Sequence, residues 1–262
     1  MSNLFKELKN EWAKHTPNLA HCAKLLDVLK LELVHVGFAG PKEAAKSGHN
    51  EKLQTSREML EIAVEHSIKV KDYPAYERYM AQLNVYYYDY DKFLESSPAM
   101  HKFIGLNLLY MLATNRIADF HILLERLPSA LLLHNSFIMP VLELENYYME
   151  GRYNKILQAK KTMPSEIYSN FMDMLVNTAK EEIASCLEKS CVKISPKQAA
   201  LRLGFKPGSS ELTDLAQRRK WSLDADGNYN FASWHAKPVE VVPANDIAEQ
   251  TLVYAQELEK IV

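Results

Sequence analysis

The sequence predicts a mainly α-helical protein with three parts: an N-terminal helical-repeat solenoid, a winged helix and a C-terminal helix. Apolar residues recur at helical spacing from the N-terminus to about residue 192. The 262 residues include only 8 glycines and 11 prolines, too few for the many turns of an all-β or secreted fold. After residue 194 the pattern changes to two short helices and a β-hairpin, which is the outline of a winged helix.

The composition is that of an ordinary globular protein, with 47% apolar and 24% charged residues. The formal net charge of −2 provides no overall attraction to nucleic acid or to an anionic membrane. Three cysteines (Cys22, Cys186 and Cys191) are too few for a disulfide framework and are expected to be free thiols. A signal peptide and a membrane span are not expected, because the N-terminus is charged and apolar runs are short.

Capping residues, prolines and glycines divide the first 192 residues into helices. Asp72, followed by Pro74, is expected to cap the fourth helix, and Ser97 the fifth. Residues 38–52 are expected to form a loop. The predicted helices are, in order, about 2–16, 18–37, 52–70, 73–88, 98–114, 117–127, 141–150, 153–161 and 166–191.

Three of the corners between these helices resemble one another, and each is followed by an apolar anchor, at Tyr76, Phe120 and Ile156. Their spacing of about forty residues is typical of stacked helical pairs, as in tetratricopeptide-like repeats. An irregular helical bundle with short corners would produce the same pattern, so that alternative stays open.

Residues 193–233 are predicted to form the winged helix, and residues 234–245, with Pro238 and Pro243, a linker. The basic cluster Arg218–Lys220 raises the question of nucleic-acid binding. A winged helix reads bases with the N-terminal end of its second helix, where this chain has the acidic Glu211 and Asp214. The predicted elements are helices over 197–203 and from 209, and strands over 220–223 and 228–231, joined by a turn at 224–227.

Residues 246–262 are predicted to form a last helix with an apolar stripe on one face and a net charge of −3. The stripe must be buried somewhere, either against its own domain or in a bundle with helices of other chains.

Signatures of catalysis are not found. No phosphate-binding loop, nucleophile elbow, zinc-protease motif or dinucleotide-binding motif is present, so we expect no enzyme activity, no cofactor and no metal. The aromatic run Tyr86, Tyr87, Tyr88 and Tyr90 cannot occupy one face of a helix. It is expected either to expose a partner-binding surface or to be packed on two sides.

The order of helical repeats, long helix, winged helix and terminal helix resembles the PCI-domain proteins. These are scaffold subunits of the proteasome lid, the COP9 signalosome and translation initiation factor 3. Several short sequence segments resemble the proteasome-lid branch of that family, whereas residues 38–52 match it poorly. The segments are Tyr76–Leu83, Gly105–Leu109, Leu124–Pro128, Met149–Lys155 and Tyr229–Ser233, with Leu258–Val262 at the end.

The resemblance implies a non-catalytic subunit of the 19S regulatory particle lid, in cytoplasm and nucleus. It implies roles in lid assembly, in joining the lid to the base and in ubiquitin-dependent protein degradation. A signalosome subunit, an initiation-factor subunit and a winged-helix nucleic-acid-binding module are the alternatives.

The resemblance also implies where partners bind. The winged helix would contact other lid subunits through an edge strand that includes Tyr229 and Phe231. Tyr86, Tyr87 and Tyr88 are a candidate surface for the ubiquitin-receptor subunit. The terminal helix would join a bundle of lid-subunit helices through Ile247, Leu252, Tyr254, Ala255, Leu258 and Ile261.

Overall fold

The computed structural model confirms a mainly α-helical chain with one small β-sheet. The chain forms two compact units, Met1–Ile183 and Ala184–Val262, and each is treated by itself below. The structure describes residues 2–14, 18–36, 50–90, 94–95, 97–128, 132, 135–159, 165, 167–205, 210–224, 226–231 and 243–261.

Helices of the first unit pack in consecutive pairs: α1 with α2, α3 with α4, α5 with α6, and α7 with α8. In addition, α2 contacts α3 and α5 contacts α7, so neighbouring pairs stack as a helical-repeat arrangement requires. The helices are α1 (Ser2–Trp12), α2 (Leu19–Val36), α3 (Asn50–Val70), α4 (Tyr73–Tyr88), α5 (Met100–Ala113), α6 (Ile117–Glu125), α7 (Met139–Met149), α8 (Tyr153–Ala159) and α9 (Ile167–Ser190), which continues into the second unit.

The three similar corners share one backbone motif. Each has a residue in the left-handed region, with φ of 64° at Lys71, 60° at Asn115 and 69° at Gly151. In each corner the next backbone N–H donates to the carbonyl five residues earlier, over 2.8 to 2.9 Å. This Schellman arrangement satisfies carbonyls that the ending helix leaves unpaired and turns the chain into the next helix. The anchors that follow are completely buried: Tyr76, Phe120 and Ile156.

Most predicted helix starts are confirmed to within one residue, and in the first unit α3, α5 and α7 begin two residues away from the predicted positions. Asp72 Oδ1 accepts the N–H of Ala75 over 3.1 Å, as expected for a cap. Ser97 does not cap α5, whose N-cap residue is Ala99. The Ser97 hydroxyl instead donates to Glu61 over 2.7 Å and accepts the N–H of Ala99 over 3.3 Å. The third helix begins at Asn50, so the end of the predicted 38–52 loop is helical, while residues 38–49 lie outside the described residues.

Aromatic side chains fill the centre of the first unit. Tyr76, Tyr110 and Phe171 meet with ring centroids 5.0 to 5.2 Å apart. Their edge-to-face and tilted contacts are the arrangements that aromatic quadrupoles favour. Gly105 lies in a close approach: a Cβ there would be 2.6 Å from the carbonyl oxygen of Phe137. Glycine is therefore the residue that lets α5 pack at this point.

The second unit contains the winged helix that the sequence predicts, and one strand that it does not. Ser195 caps the first helix and Gly204, at φ 69°, ends it. The additional strand comes directly after α9 and pairs with the hairpin. The elements are β1 (Lys193–Ile194), α10 (Pro196–Leu203), α11 (Ser210–Arg218), β2 (Ser222–Leu223) and β3 (Tyr229–Asn230).

The strand order is β1-β3-β2, with both pairs antiparallel. Tyr229 pairs with Ile194 on one side and with Leu223 on the other, so β3 is the central strand. The prediction that the Tyr229–Phe231 strand is a free edge is therefore wrong. Its side chains are buried too: Tyr229 and Phe231 contact the Trp221 ring with centroids 5.1 and 5.2 Å away.

The final helix, α12 (Ala244–Glu259), begins two residues before the predicted start at Asp246. Residue 243 is the proline that precedes it, and no side chain caps its first turn. Most of the predicted linker, residues 234–242, lies outside the described residues.

Candidate protein-binding surfaces

An exposed apolar surface lies on α12 and the turn after it, and no residue of the helix is buried. Leu252, Tyr254 and Ile261 are 66%, 67% and 81% exposed, and Ile247 and Leu258 are about half exposed. Ala255 is exposed as well. Contiguous exposed apolar side chains on an amphipathic helix mark a surface that another protein covers. Of the two alternatives left by the sequence, burial against its own domain is not seen among the described residues.

The polar side of α12 has a feature that the sequence analysis missed. Val253 is 53% exposed and lies among Asp246, Glu249 and Glu257 rather than in the apolar stripe. The positions 246, 249, 253 and 257 follow one another at helical spacing, which is the signal that could have identified this face.

The sheet of the winged helix has two outer strands, β1 and β2, within the described residues. Leu223 on β2 is 64% exposed, and Val192 just before β1 is 53% exposed. Outer strands offer unpaired backbone groups to a further strand. Lys193 forms an ion pair with Asp224, which links β1 to the hairpin turn. The candidate edge is therefore β1 or β2 and not the predicted strand.

The tyrosine run lies mainly in the interior. Tyr86 and Tyr87 are 5% and 3% exposed, and the Tyr87 hydroxyl donates to Glu61 over 2.9 Å. Burial, and then the charge of Glu61, raise the pKa of Tyr87, so this phenol is neutral. Tyr88 is half-buried, with the Arg126 guanidinium 3.8 Å from its ring centroid. Packing on two sides of α4 explains the run, and the prediction of an exposed Tyr86–Tyr88 surface is wrong for Tyr86 and Tyr87.

One residue of the basic cluster Arg218–Lys220, Arg219, forms an ion pair inside the winged-helix unit. Glu188 of α9 is 3% exposed, and its carboxylate accepts the indole N–H of Trp221 over 2.6 Å. The Arg219 guanidinium lies 3.3 Å from the same carboxylate. This cation therefore neutralises a buried acid of its own domain, which leaves fewer charges for nucleic-acid phosphates.

A groove of about 390 Å³ lies in the first unit, between α1, α3 and the start of α5. Three glutamates of α3 line it, and each already accepts a hydrogen bond from this chain. Lys9 donates to Glu58, Ser97 to Glu61 and Lys102 to Glu65, over 3.1, 2.7 and 2.6 Å. Carboxylates held by structural donors in this way resemble a packing network more than a general acid and base.

Metal and membrane features are also not found in the part of the chain that the structure describes. No group of histidine, cysteine, aspartate or glutamate residues there is arranged to hold a metal ion. None of the described helices combines the length and the apolar character that crossing a bilayer requires.

Comparison with known proteins gives one family. The sequence model of the CSN8/PSMD8/EIF3K family matches residues 98–240, from the turn before α5 through the winged helix. Among curated proteins, 26S proteasome non-ATPase regulatory subunit 8 homolog A of Arabidopsis thaliana is 35% identical over 263 residues, covering 100% of this chain and 97% of that protein.

Two further relatives show the same relationship. 26S proteasome non-ATPase regulatory subunit 8 of Caenorhabditis elegans is 34% identical over 264 residues and covers 100% of both chains. 26S proteasome regulatory subunit rpn12 of Schizosaccharomyces pombe is 32% identical over 203 residues, covering 77% of this chain and 72% of that protein.

Proposed function

Because the chain belongs to the CSN8/PSMD8/EIF3K family, we propose that it is a non-catalytic structural subunit of the proteasome 19S regulatory particle lid. In that role it supports lid assembly, the joining of lid to base and ubiquitin-dependent protein degradation, in cytoplasm and nucleus. The observation that carries the proposal is α12, an amphipathic helix whose apolar stripe contains no buried residue, in a chain with full-length proteasome-subunit relatives.

The other members of the family and the nucleic-acid alternative are less well supported. The relatives described above are all named as proteasome regulatory subunits. The net charge of −2 and the contact between Arg219 and buried Glu188 both argue against a nucleic-acid interface.

Assembly through α12 is energetically reasonable. Five large apolar side chains of α12 and the turn after it are 46% to 81% exposed, and burying each contributes roughly 1–2 kcal/mol, or about 5–10 kcal/mol in total. They are Ile247, Leu252, Tyr254, Leu258 and Ile261. Association costs about 4–15 kcal/mol in lost freedom, so a second contact is needed for stable incorporation.

An outer strand of the winged helix supplies that second contact. Addition of a partner strand to β1 or β2 would satisfy backbone N–H and C=O groups that face outward. Two weak contacts on one chain reinforce each other, because binding at the first raises the effective concentration of the second. The ubiquitin-receptor subunit is a further partner, and Tyr86 and Tyr87 are too deeply buried to contact it.

The test is incorporation into a reconstituted lid. We expect the double variant I247D/L258D to leave the chain folded, since both side chains are exposed, and to abolish incorporation. The matched control is N245D/Q256D, which adds the same two charges to the side of the helix opposite Ile247 and Leu258. Native gels would measure incorporation, and circular dichroism the fold. Normal incorporation of I247D/L258D would contradict the proposal.

A further inference from the structure

The groove between α1, α3 and the start of α5 has the dimensions of an extended peptide. Its lining follows α3 from Gln54 to Glu65, a length of about 16 Å at 1.5 Å per residue. A volume of about 390 Å³ over that length gives a mean cross-section of roughly 24 Å². A helix 10–12 Å wide needs about 80 Å² or more, whereas an extended chain with its side chains needs about 47 Å². The groove therefore fits about five residues of extended chain, half embedded.

A buried arginine in the lining of this groove lacks an acceptor. Arg57 is 5% exposed, and its Nη1 donates to the backbone carbonyl of Glu95. Its Nε is buried and has no hydrogen-bond partner among the described residues, since Glu61 Oε1 is 4.0 Å away, which is beyond hydrogen-bond distance. A buried donor without an acceptor is unfavourable, so this guanidinium indicates an acceptor oxygen that a bound molecule supplies.

Glu61, one turn further along α3, has the opposite surplus. Its Oε1 accepts the hydroxyls of Tyr87 and Ser97 over 2.9 and 2.7 Å, and both of these donors are neutral. No hydrogen bond from a described residue reaches its other oxygen, Oε2. The lining thus offers an N–H that lacks an acceptor and a carboxylate oxygen that lacks a donor. A peptide group complements this pattern with its C=O and its N–H.

The other lining residues indicate which side chains such a peptide carries. Trp12, Ile62 and Phe103 line the groove, so an apolar side chain of the bound chain would be buried there. Two of the four lining glutamates pair with lysines of this chain, over 3.1 and 2.6 Å. Of the other two, Glu61 has its nearest listed cation at 4.0 Å, and the exposed Glu95 pairs with no cation among the described residues. A lysine or arginine of the bound chain complements this excess of negative charge.

We propose that this groove binds an extended segment of about five residues from a partner protein, with an apolar side chain at its centre and lysine or arginine at its ends. The central peptide group accepts from Arg57 and donates to Glu61. The apolar side chain contacts Trp12 and Ile62, and a terminal cation lies beside Glu95. The described lining residues all belong to the first unit, so this inference goes beyond the proposed function.

The experiment measures binding of capped pentapeptides to the full-length chain by saturation-transfer NMR, which detects weak complexes. The probe is a pool with lysine at both ends, leucine in the middle and mixed residues at the second and fourth positions. We expect saturable binding with a Kd of about 1 mM or below, and about tenfold weaker binding of the same pool with glutamate ends.

Three variants test the assigned contacts. E95K should weaken binding of the lysine-ended pool about fivefold, because it replaces an attraction at an exposed site with a repulsion. Its matched control is E51K, the same change at an exposed acid of α3 outside the groove, which should bind within about twofold of the unmodified chain. E61Q still accepts the Tyr87 and Ser97 hydroxyls but loses the free carboxylate oxygen, so about tenfold weaker binding is expected. Thermal melting followed by circular dichroism checks that each variant is folded.

Several outcomes would overturn the inference. These are no saturable binding of the lysine-ended pool, equal binding of the two pools, and equal binding by E95K and E51K. Sedimentation of the free chain tests a second copy as the occupant, which a dimer that E95K dissociates would show. Binding that occurs only after residues 38–49 are deleted would show that the chain fills the groove itself. None of these results bears on incorporation of I247D/L258D into the lid, so the proposed function is tested separately.

Discussion

Replacing Glu188 with alanine should selectively destabilise the winged-helix unit. The Glu188 side chain is 4% exposed and accepts the Trp221 indole N–H over 2.6 Å, with the Arg219 guanidinium 3.3 Å away. The carboxylate thus connects the last turn of α9 to the segment between α11 and β2. Alanine would leave the indole N–H without this acceptor and would remove the carboxylate beside the guanidinium.

The size of the effect follows from these contacts. A hydrogen bond to a charged group contributes about 1.5–3 kcal/mol, and an unsatisfied buried donor costs about 1–3 kcal/mol. Together with the broken ion pair, Glu188→Ala should lower the free energy of unfolding by about 3–5 kcal/mol. Glu188→Gln retains an acceptor of the same shape for Trp221 and loses only the charge, so about 1–2 kcal/mol is expected.

Urea denaturation followed by tryptophan fluorescence and ellipticity would measure these differences. Asp214→Ala is the matched control, because it removes an exposed acid from α11 in the same unit and should change stability by about 0.5 kcal/mol or less. If Glu188→Ala unfolds at the same urea concentration as the unmodified chain, the reasoning that this carboxylate stabilises the wing is refuted.

Three more predictions concern the first unit. Gly105→Ala should lower the thermal midpoint by the equivalent of about 1–3 kcal/mol in a melting experiment, because its Cβ would lie 2.6 Å from the Phe137 carbonyl oxygen. Burial, and then Glu77, raise the pKa of Tyr110 from 10.0 to about 12. Tyr110 therefore ionises in the unfolded chain before it ionises in the folded chain, so its ionisation lowers the stability of the fold as the pH rises from 10.0 to 12. In a base denaturation experiment, Tyr110→Phe should remove this loss of stability, whereas the control Tyr254→Phe, at an exposed position, should not. Asp72→Ala should cost about 1 kcal/mol in urea and Asp72→Asn much less, since asparagine keeps the capping oxygen.

Much of the helical architecture could be predicted from local signals. The corners at Lys71, Asn115 and Gly151 follow from residues that end one helix and start the next within a few positions, so their chemistry is local. The apolar stripe of α12 could be predicted for the same reason, because the spacing of its apolar residues is a pattern within a single helix.

The errors concern non-local pairing. β1 has only two residues, Lys193 and Ile194, which is too short to show alternation, so the strand next to Tyr229 was not expected. If β1 is not recognised, the second strand of the hairpin, β3, is expected to lie at the edge of the sheet. For the tyrosine run the sequence left two alternatives open, and packing on two sides of α4 is confirmed, whereas the assignment of Tyr86 and Tyr87 to a partner surface is wrong. Which carboxylate meets Trp221 depends on contacts between distant positions, so Glu188 was not identified.

The contacts that complete the wing reach back into the chain before it. Phe231 donates its N–H to the carbonyl of Val192 over 2.8 Å, and Trp221 donates to Glu188. A recombinant fragment trimmed to begin at residue 193 would keep both short helices and the hairpin, yet it would lack both acceptors. Fragments intended for isolated folding or for crystallisation of this region should therefore start no later than Ala184.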